Sequence, residues 1–237
     1  MNLLLLQTEN MLSENLAQIS GRQLKHMHET LNVGVGSALT VGFLNNKIGR
    51  ARIVELHQDS AKIEVEWISK PPPALPLTLI IGLPRPKMLK RIIQTATTMG
   101  VKELYFINSW KVEKSFWQTP WLNDEKLLEN CILGLEQAKD TVMPKIHLRK
   151  LFKPFVEDEL ATISEGSLKL LAHPITEKAC PADIQAQTTL VIGPEGGFTP
   201  YEVDKLEEVG FETVHLGTRI LRVETAVPVL LGRLFQS

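Results

Sequence analysis

Two copies of one short pattern fill residues 189–235, and in each copy an apolar run ends in a glycine-bearing loop that leads into a helical segment. In the first copy, the β-branched run Leu190–Ile192 meets the loop Gly193–Gly197, whose glycines permit a tight turn and a close backbone approach. Thr199 then predicts a helix start, because a proline follows it and Glu202 completes a Thr-x-x-Glu capping box. This copy therefore predicts a strand, a loop and a helix.

The second copy repeats the order of elements, with the apolar run Thr213–Leu216, the loop Gly217–Arg222 and helical spacing of apolar residues from about Val223 onward. Strands and helices that alternate at these lengths favour parallel pairing, since parallel strands need crossover helices. Both loops then lie at the carboxyl ends of neighbouring strands, where open α/β sheets bind ligands. A third apolar run, Leu168–Leu171, ends in the loop Ala172–Pro174, so three loops are predicted to meet at one pocket.

The two loops contain long motifs: Ile192–Thr199 reads IGPEGGFT, and Leu216–Ala226 reads LGTRILRVETA. At this spacing, and after strands, these motifs resemble the RsmE family of the SPOUT methyltransferases, which methylate N3 of a uridine in 16S ribosomal RNA with S-adenosylmethionine. The resemblance covers nearly the whole chain, and its specific motifs lie between Leu171 and Ala226. It implies an S-adenosylmethionine-dependent rRNA (uridine-N3-)-methyltransferase whose partner is 16S ribosomal RNA or the small ribosomal subunit.

The resemblance also suggests which residues take part in the chemistry. Methyl transfer needs an aligned, unprotonated nitrogen, and donors that hold negative charge on the uracil oxygens ease the loss of the N3 proton. Arg222 is the candidate for that donor, and Glu195 is expected to act as a base or to orient the cofactor. An equally open interpretation is that Glu195 accepts backbone hydrogen bonds near a helix start. The residues expected to bind the cofactor are Leu171, Ala172, His173, Ile192, Gly193, Gly196, Leu216, Gly217, Ile220, Leu221, Thr225 and Ala226.

The N-terminal part of the chain shows a different pattern. The runs Ala38–Phe43, Ala51–Leu56 and Ala61–Trp67 alternate apolar and polar residues and are separated by turn residues, which predicts a small antiparallel barrel or sheet. The proline-rich segment Pro71–Pro76 follows, and it can continue neither a helix nor a central strand. We therefore predict a domain boundary there.

The resemblance completes the predicted fold. It implies an α/β protein with an N-terminal PUA-like RNA-binding β-barrel over residues 1–72 and a C-terminal SPOUT α/β domain over residues 73–237. It adds a parallel sheet and a deep trefoil knot, in which the last helix passes through a preceding loop, and it implies a homodimer.

Composition bears on where the protein acts. No apolar run approaches membrane length, and Leu3–Leu6 is too short and lacks a basic flank for a signal peptide, so we expect a cytoplasmic protein without a membrane partner. Cys131 and Cys180 form no CxxC pair and have no metal-ligand spacing to the six histidines, which predicts reduced thiols and no metal.

Charge bears on how the chain meets RNA. The net charge of −1 provides no global attraction to phosphates, so any RNA contact must be local. The basic cluster between Lys145 and Lys153 is one candidate for phosphate contact.

The chain departs from the family pattern at positions expected to meet RNA. Asn32 replaces an arginine, and Thr95 and Thr98 replace a lysine and a glutamate. Asp140 lies in a segment where the family has an arginine. An alternative is therefore a divergent RsmE-like protein that binds RNA and cofactor but has a different RNA target or no catalysis. A conventional nucleotide-binding α/β enzyme is a third interpretation, but the first strand after the prolines leads into Leu83–Pro86 and not into a GxGxxG turn.

Overall fold

The computed structural model describes residues 2–31 and 33–235. Asn32, one of the positions at which the chain departs from the family pattern, lies outside the described residues. Within this part of the chain, the backbone contacts separate two units, each with its own sheet.

Each unit is formed by two stretches of the chain. The first consists of Met1–Pro73 and Ile132–Met143, and the second of Ala74–Cys131 and Pro144–Ser237. The division into domains at residues 72 and 73 stays a prediction.

The first unit is a curled, six-stranded mixed sheet with the strand order β1-β4-β5-β6-β3-β2. Its strands are β1 Leu4–Leu6, β2 Met11–Ser13, β3 Leu16–Ile19, β4 Ala38–Phe43, β5 Ile48–Leu56 and β6 Ala61–Ser69. All neighbours pair antiparallel except β1 and β4, which are parallel. Helix α1 (Gly21–His26) follows β3 and continues into a π-helical turn over Met27–Leu31.

The three alternating runs of the N-terminal part are confirmed as strands β4, β5 and β6, and they pair antiparallel in sequence order. Alternation predicts them well because one face of each strand is buried: Val41, Ile53 and Ile63 are all fully buried. Strand β1 has no such alternation, since all three of its leucines are buried. The parallel pairing of β1 with β4 is therefore a feature that the sequence pattern did not predict.

A buried carboxylate holds the second stretch of the first unit. Glu136 is 1% exposed and forms a two-pronged ion pair with Arg22, with Nη1–Oε2 at 2.8 Å and Nη2–Oε1 at 2.9 Å. The Nε2 of Gln23 also donates to Oε1 at 2.9 Å. A carboxylate in this position needs such partners, because an uncompensated buried charge is costly.

Arg22→Ala is therefore expected to lower the free energy of unfolding by roughly 1–3 kcal/mol, because Glu136 keeps only the amide of Gln23. The expected loss of stability is smaller than for a fully buried ion pair, because the Arg22 side chain is half-exposed. Arg52→Ala is the matched control, since Arg52 is exposed and forms no ion pair within the described residues. Urea unfolding of both variants measures the difference, and equal stabilities would contradict the assigned role of Arg22.

The second unit contains a six-stranded sheet in which every pair is parallel, as the sequence predicts. The strand order is β12-β10-β11-β7-β8-β9. The strands are β7 Leu77–Gly82, β8 Glu103–Ile107, β9 Lys145–Arg149, β10 Leu168–Ala172, β11 Thr188–Ile192 and β12 Glu212–Val214. The two middle strands, β7 and β11, are buried along their whole length, which is typical of a parallel sheet covered on both faces.

Helices connect these strands. They are α2 Pro86–Thr98, α3 Asp124–Ala138, α4 Phe152–Pro154, α5 Leu160–Ile163, α6 Pro200–Glu208 and α7 Val223–Leu234. The predicted capping box is confirmed at α6, where the Thr199 hydroxyl accepts from the Glu202 N–H at 3.3 Å and the Glu202 carboxylate accepts from the Thr199 N–H at 2.8 Å. Across residues 2–31 and 33–235, no helix has the length and apolar character that a membrane crossing requires.

The basic cluster between Lys145 and Lys153 lies on and just after the edge strand β9. Lys145 pairs with Glu103 at 3.3 Å, Arg149 with Glu159 at 2.8 Å, and Lys153 with Glu157 at 3.8 Å. These contacts offset three of the four Lys and Arg side chains in the cluster, and the exposed Lys150 forms no ion pair within the described residues.

Candidate functional site

A cavity of about 440 Å³ lies in the second unit at the carboxyl ends of β10, β11 and β12. Its walls are the loops that follow these three strands, together with the start of α7. The lining residues are Ala172–Pro174, Ile192–Phe198, Val214–Gly217, Arg219–Val223, Ala226 and Leu230. The three loops therefore meet at one cavity, as the two repeated motifs and the preceding strand predict.

Most of the residues predicted for the site line this cavity. They are Ala172, His173, Ile192, Gly193, Glu195, Gly196, Leu216, Gly217, Ile220, Leu221, Arg222 and Ala226. Leu171 and Thr225 are not among the lining residues. Leu171 is fully buried in the core beneath the sheet end, and Thr225 is exposed on the first turn of α7.

The loop after β11 is shaped by its own glycines. Gly197 has a φ of 69°, in the left-handed region, and its N–H donates to the carbonyl of Pro194 at 2.7 Å. A Cβ on Gly193 would lie 3.3 Å from the Gly197 Cα and equally close to the Phe198 N. The close backbone approach predicted for these glycines is therefore seen at Gly193, where a side chain would crowd the loop itself.

Glu195 connects this loop to the start of α2. Its Oε1 accepts from the backbone N–H of Arg85 at 2.9 Å, and Arg85 is the residue that precedes the first turn of α2. The contact supports the interpretation in which Glu195 accepts a backbone hydrogen bond near a helix start. The strand-end loops of β7 and β11 are held together by it.

The loop after β12 has a backbone conformation that favours glycine. Gly217 has a φ of 117°, and its N–H donates to His215 Nδ1 at 2.8 Å. No atom lies within 4 Å of the position that a Cβ on Gly217 would take. A side chain there would therefore enter open space at the cavity wall.

His215 is a lining residue that the sequence analysis missed. The predicted strand Thr213–Leu216 ends earlier, at Val214, and His215 instead bridges to Ala179 in parallel. Its backbone accepts from the Cys180 N–H at 2.8 Å and donates to the Lys178 carbonyl at 2.8 Å. The sequence pattern predicts His215 inside the strand, and the earlier end of β12 is what brings it to the cavity wall.

Arg222 precedes α7 and lines the cavity with an exposed side chain. Its backbone carbonyl accepts from the N–H groups of Thr225 at 2.9 Å and Ala226 at 2.7 Å, so its main chain is fixed at the helix start. Within the part of the chain that the structure describes, the guanidinium has no ion pair. A fixed backbone with a free guanidinium suits a group that meets a ligand.

The thiols are poor candidates for nucleophiles. Burial raises the pKa of Cys131 to about 11, and burial also raises the pKa of Cys180. Because the thiolate is the reactive form, both groups are protonated and unreactive near neutral pH. Among the residues of 2–31 and 33–235, no group of histidine, cysteine and acidic side chains is arranged to hold a metal ion.

The unit that holds the parallel sheet and the cavity is similar to RNA methyltransferases. Residues 70–235 match the family model described as an RNA methyltransferase domain, and the chain belongs to this family. The resemblance to the RsmE family is confirmed by relatives. The chain is 28% identical over 233 residues to ribosomal RNA small subunit methyltransferase E of Treponema pallidum, which covers 95% of this chain and 87% of the relative.

Solved structures agree with this family. The ribosomal RNA small subunit methyltransferase E from Neisseria gonorrhoeae, bound to S-adenosyl methionine, has a TM-score of 0.74 at 22% identity, covering 98% of this chain and 95% of that one. A methyltransferase from Legionella pneumophila in complex with the same cofactor has a TM-score of 0.76 at 22% identity, with the same coverage. These matches show a shared fold with methyltransferases that hold S-adenosylmethionine.

Proposed function

We propose that the protein transfers a methyl group from S-adenosylmethionine to N3 of a uridine in the 16S ribosomal RNA of the small subunit. The observation that carries the proposal is the cavity where the two family motifs meet, with Gly217 in its wall and the free guanidinium of Arg222 at its edge. The relatives are ribosomal RNA small subunit methyltransferases by name, and two solved neighbours hold this cofactor.

The cavity fits the proposed cofactor. Its volume of about 440 Å³ lies within the range of roughly 300–1,000 Å³ that is typical of small-molecule sites. Ile220 and Leu221 supply apolar surface for a nucleoside, and the glycine loops offer backbone groups free of side chains. We assign cofactor binding to the predicted residues on these loops, and to Leu171 and Thr225 as the neighbours that support them.

When bound, S-adenosylmethionine supplies an electrophilic methyl group, so the work left to this chain is binding, orientation and control of charge. The uracil must lose its N3 proton before the nitrogen can form the new bond, and the resulting negative charge spreads onto the carbonyl oxygens. Arg222 donates to these oxygens in our proposal, from a main chain that is fixed at the start of α7. Glu195 orients the loop that holds the cofactor through its contact with the Arg85 N–H.

We further propose the finer features of the fold and assembly. The first unit acts as a PUA-like barrel that grips RNA, which its curled mixed sheet supports. The second unit is a SPOUT domain with a trefoil knot near the last helix, a proposal that rests on the resemblance of the motifs Ile192–Thr199 and Leu216–Ala226. The protein works as a homodimer in the cytoplasm, and the apolar helix α7 is the proposed interface.

One observation favours the alternative of a different RNA target or of lost catalysis. Asp140, which lies where the family has an arginine, is 1% exposed and accepts from the N–H groups of Thr141 at 2.6 Å and Val142 at 2.9 Å. The carboxylate thus shapes the turn after α3 and offers no cation to RNA. The arginine that the resemblance leads us to expect in this segment is absent, so the RNA target needs a direct test.

The direct test is methylation of 30S subunits and of free 16S ribosomal RNA with labelled cofactor, followed by nucleoside analysis. We expect label in N3-methyluridine of the 16S RNA. Label in another nucleoside or another RNA would support the divergent target. Cofactor binding without any transfer would support the non-catalytic alternative.

The proposed dimer makes a separate prediction at α7. Val229 is 43% exposed on this helix, so Val229→Glu is expected to leave the folded monomer stable and to weaken dimerisation and cofactor binding together. Leu128→Glu is the control, because Leu128 is 44% exposed on α3. Light scattering and calorimetry measure the two effects. A monomeric Val229→Glu protein with wild-type cofactor affinity would show that the site is complete in one chain.

A further inference from the structure

The loop after β8 carries an aromatic side chain that the proposed mechanism does not use. Trp110 is 84% exposed, although a tryptophan side chain is among the most favourable to bury. The other tryptophans of the chain, at positions 67, 117 and 121, are all partly buried. A single exposed apolar residue is common on protein surfaces, so its surroundings decide whether it has a role.

The backbone of Trp110 is anchored, while its ring is free. Its N–H donates to Oε1 of Glu202 at 2.7 Å, and Glu202 is only 3% exposed. The other carboxylate oxygen of Glu202 accepts from the N–H and hydroxyl of Thr199 at 2.8 and 2.9 Å. A buried carboxylate thus fixes the Trp110 main chain to the start of α6, so the exposed ring projects from an anchored loop.

A second contact fixes this loop beside the cavity. The Nζ of Lys111 donates to the carbonyl of Gly196 at 2.8 Å, and Gly196 lines the cavity. A Cβ on Gly196 would lie 3.0 Å from the Cβ and Cδ of Lys111, so the lysine side chain lies directly against the glycine. Trp110 therefore stands next to the wall of the proposed cofactor site.

Cationic side chains lie on the same set of carboxyl-end loops as the ring. Strands β11, β7 and β8 are parallel neighbours, so their carboxyl-end loops lie side by side. The β7 loop carries Arg85, and the β8 loop carries Lys111 and Lys114, all three exposed. Within the described residues none of them forms an ion pair with a carboxylate. Two exposed acids, Glu113 and Glu195, lie on the same set of loops, so this edge carries a small excess of positive charge beside the ring, in a chain whose net charge is −1.

We propose that Trp110 stacks on a nucleobase of the RNA substrate that neighbours the target uridine, while Arg85, Lys111 and Lys114 contact the backbone phosphates. This inference rests on the proposed function for the identity of the substrate. An exposed aromatic ring on an anchored main chain, beside cations that form no ion pair, is a combination that binds single-stranded RNA, because bases stack on aromatic faces and phosphates meet the cations. The surface thereby provides the local RNA contact that the net charge does not.

The test is binding of a labelled, uridine-containing single-stranded RNA from the 16S sequence. Trp110→Ala is expected to raise the Kd by about 5- to 150-fold, the range that loss of one base stack produces, and Trp110→Phe to stay within a few fold of wild type. The melting temperature of both variants should match the wild type, because the ring is exposed. Leu168→Ala, at the amino end of β10, is the control and should leave the Kd unchanged.

Three measurements separate the outcomes: RNA affinity, cofactor affinity and methyl transfer. A Trp110→Ala protein with unchanged RNA Kd and unchanged KM, in a preparation that methylates RNA, would overturn this inference alone. A wild type that binds RNA through Trp110 and cofactor in the cavity but transfers no methyl group would overturn the proposed function and support the stacking role. Weakened self-association with unchanged RNA Kd would assign the ring to a protein contact and overturn the inference.

Discussion

Replacing Arg222 with alanine is expected to lower turnover by on the order of a hundredfold or more, with little change in cofactor affinity. The guanidinium lines the cavity and has no ion pair in the described chain, so its removal breaks no internal contact that holds the fold. If it holds negative charge on the uracil while N3 gives up its proton, its benefit exists mainly in the transition state. The expected loss therefore falls on the rate of the chemical step.

Single-turnover methylation measures that rate, and calorimetry and thermal unfolding measure affinity and stability beside it. Arg222→Lys is the matched variant, because it keeps a positive charge but loses the planar fork of donors. We expect it to recover part of the lost rate. Near-normal turnover in folded Arg222→Ala would remove Arg222 from the chemistry, and a parallel loss of rate and melting temperature would indicate a structural role.

The sequence predicts the second unit well, because its signals are local. Helix starts and strand ends near the cavity are signalled by residues that lie close together in the sequence. An example is the capping box of Thr199 and Glu202, which the structure contains. Parallel pairing follows from the alternation of strands and helices, and the meeting of three loops follows from parallel pairing. The family motifs lie on those loops, so the location of the cavity could be predicted without coordinates.

The features that sequence reasoning missed depend on contacts between distant residues. The stretch Ile132–Met143 belongs to the first unit, and the pair of Arg22 and Glu136 that helps to hold it joins residues 114 positions apart. The partner of Glu195 is a backbone group 110 positions away. Local patterns contain no information about such partners, because a glutamate such as Glu136 or Glu195 can find hydrogen-bond donors in many different surroundings.

The position of Trp110 also could not be predicted from local sequence patterns. Tryptophan side chains are largely buried on average, and Lys111, which follows Trp110, belongs to no recognisable sequence motif. Its exposure becomes informative only when the anchor to Glu202 and the contact of Lys111 with Gly196 are known. The candidate RNA surface thus follows from three-dimensional contacts, whereas the candidate cofactor site follows largely from sequence.

Gly217→Val is expected to abolish detectable binding of S-adenosylmethionine in a protein that still folds. Two effects combine at this position. The φ of 117° is one that a β-branched residue rarely adopts, and holding it there costs about 1–3 kcal/mol. The added side chain also enters the open space at the cavity wall, since no atom lies within 4 Å of the Cβ position.

Gly166→Val separates these two effects. Gly166 has a φ of 66° and equally open surroundings, but it lies just before β10, at the amino ends of the strands and thus at the opposite end of the sheet from the cavity. Both variants are therefore expected to lose stability through backbone strain, and only Gly217→Val is expected to lose cofactor affinity. Calorimetry and thermal unfolding of the two proteins compare them directly. Wild-type affinity in folded Gly217→Val would remove this loop from the cofactor site, and equal losses of affinity in both variants would show that strain alone explains the effect.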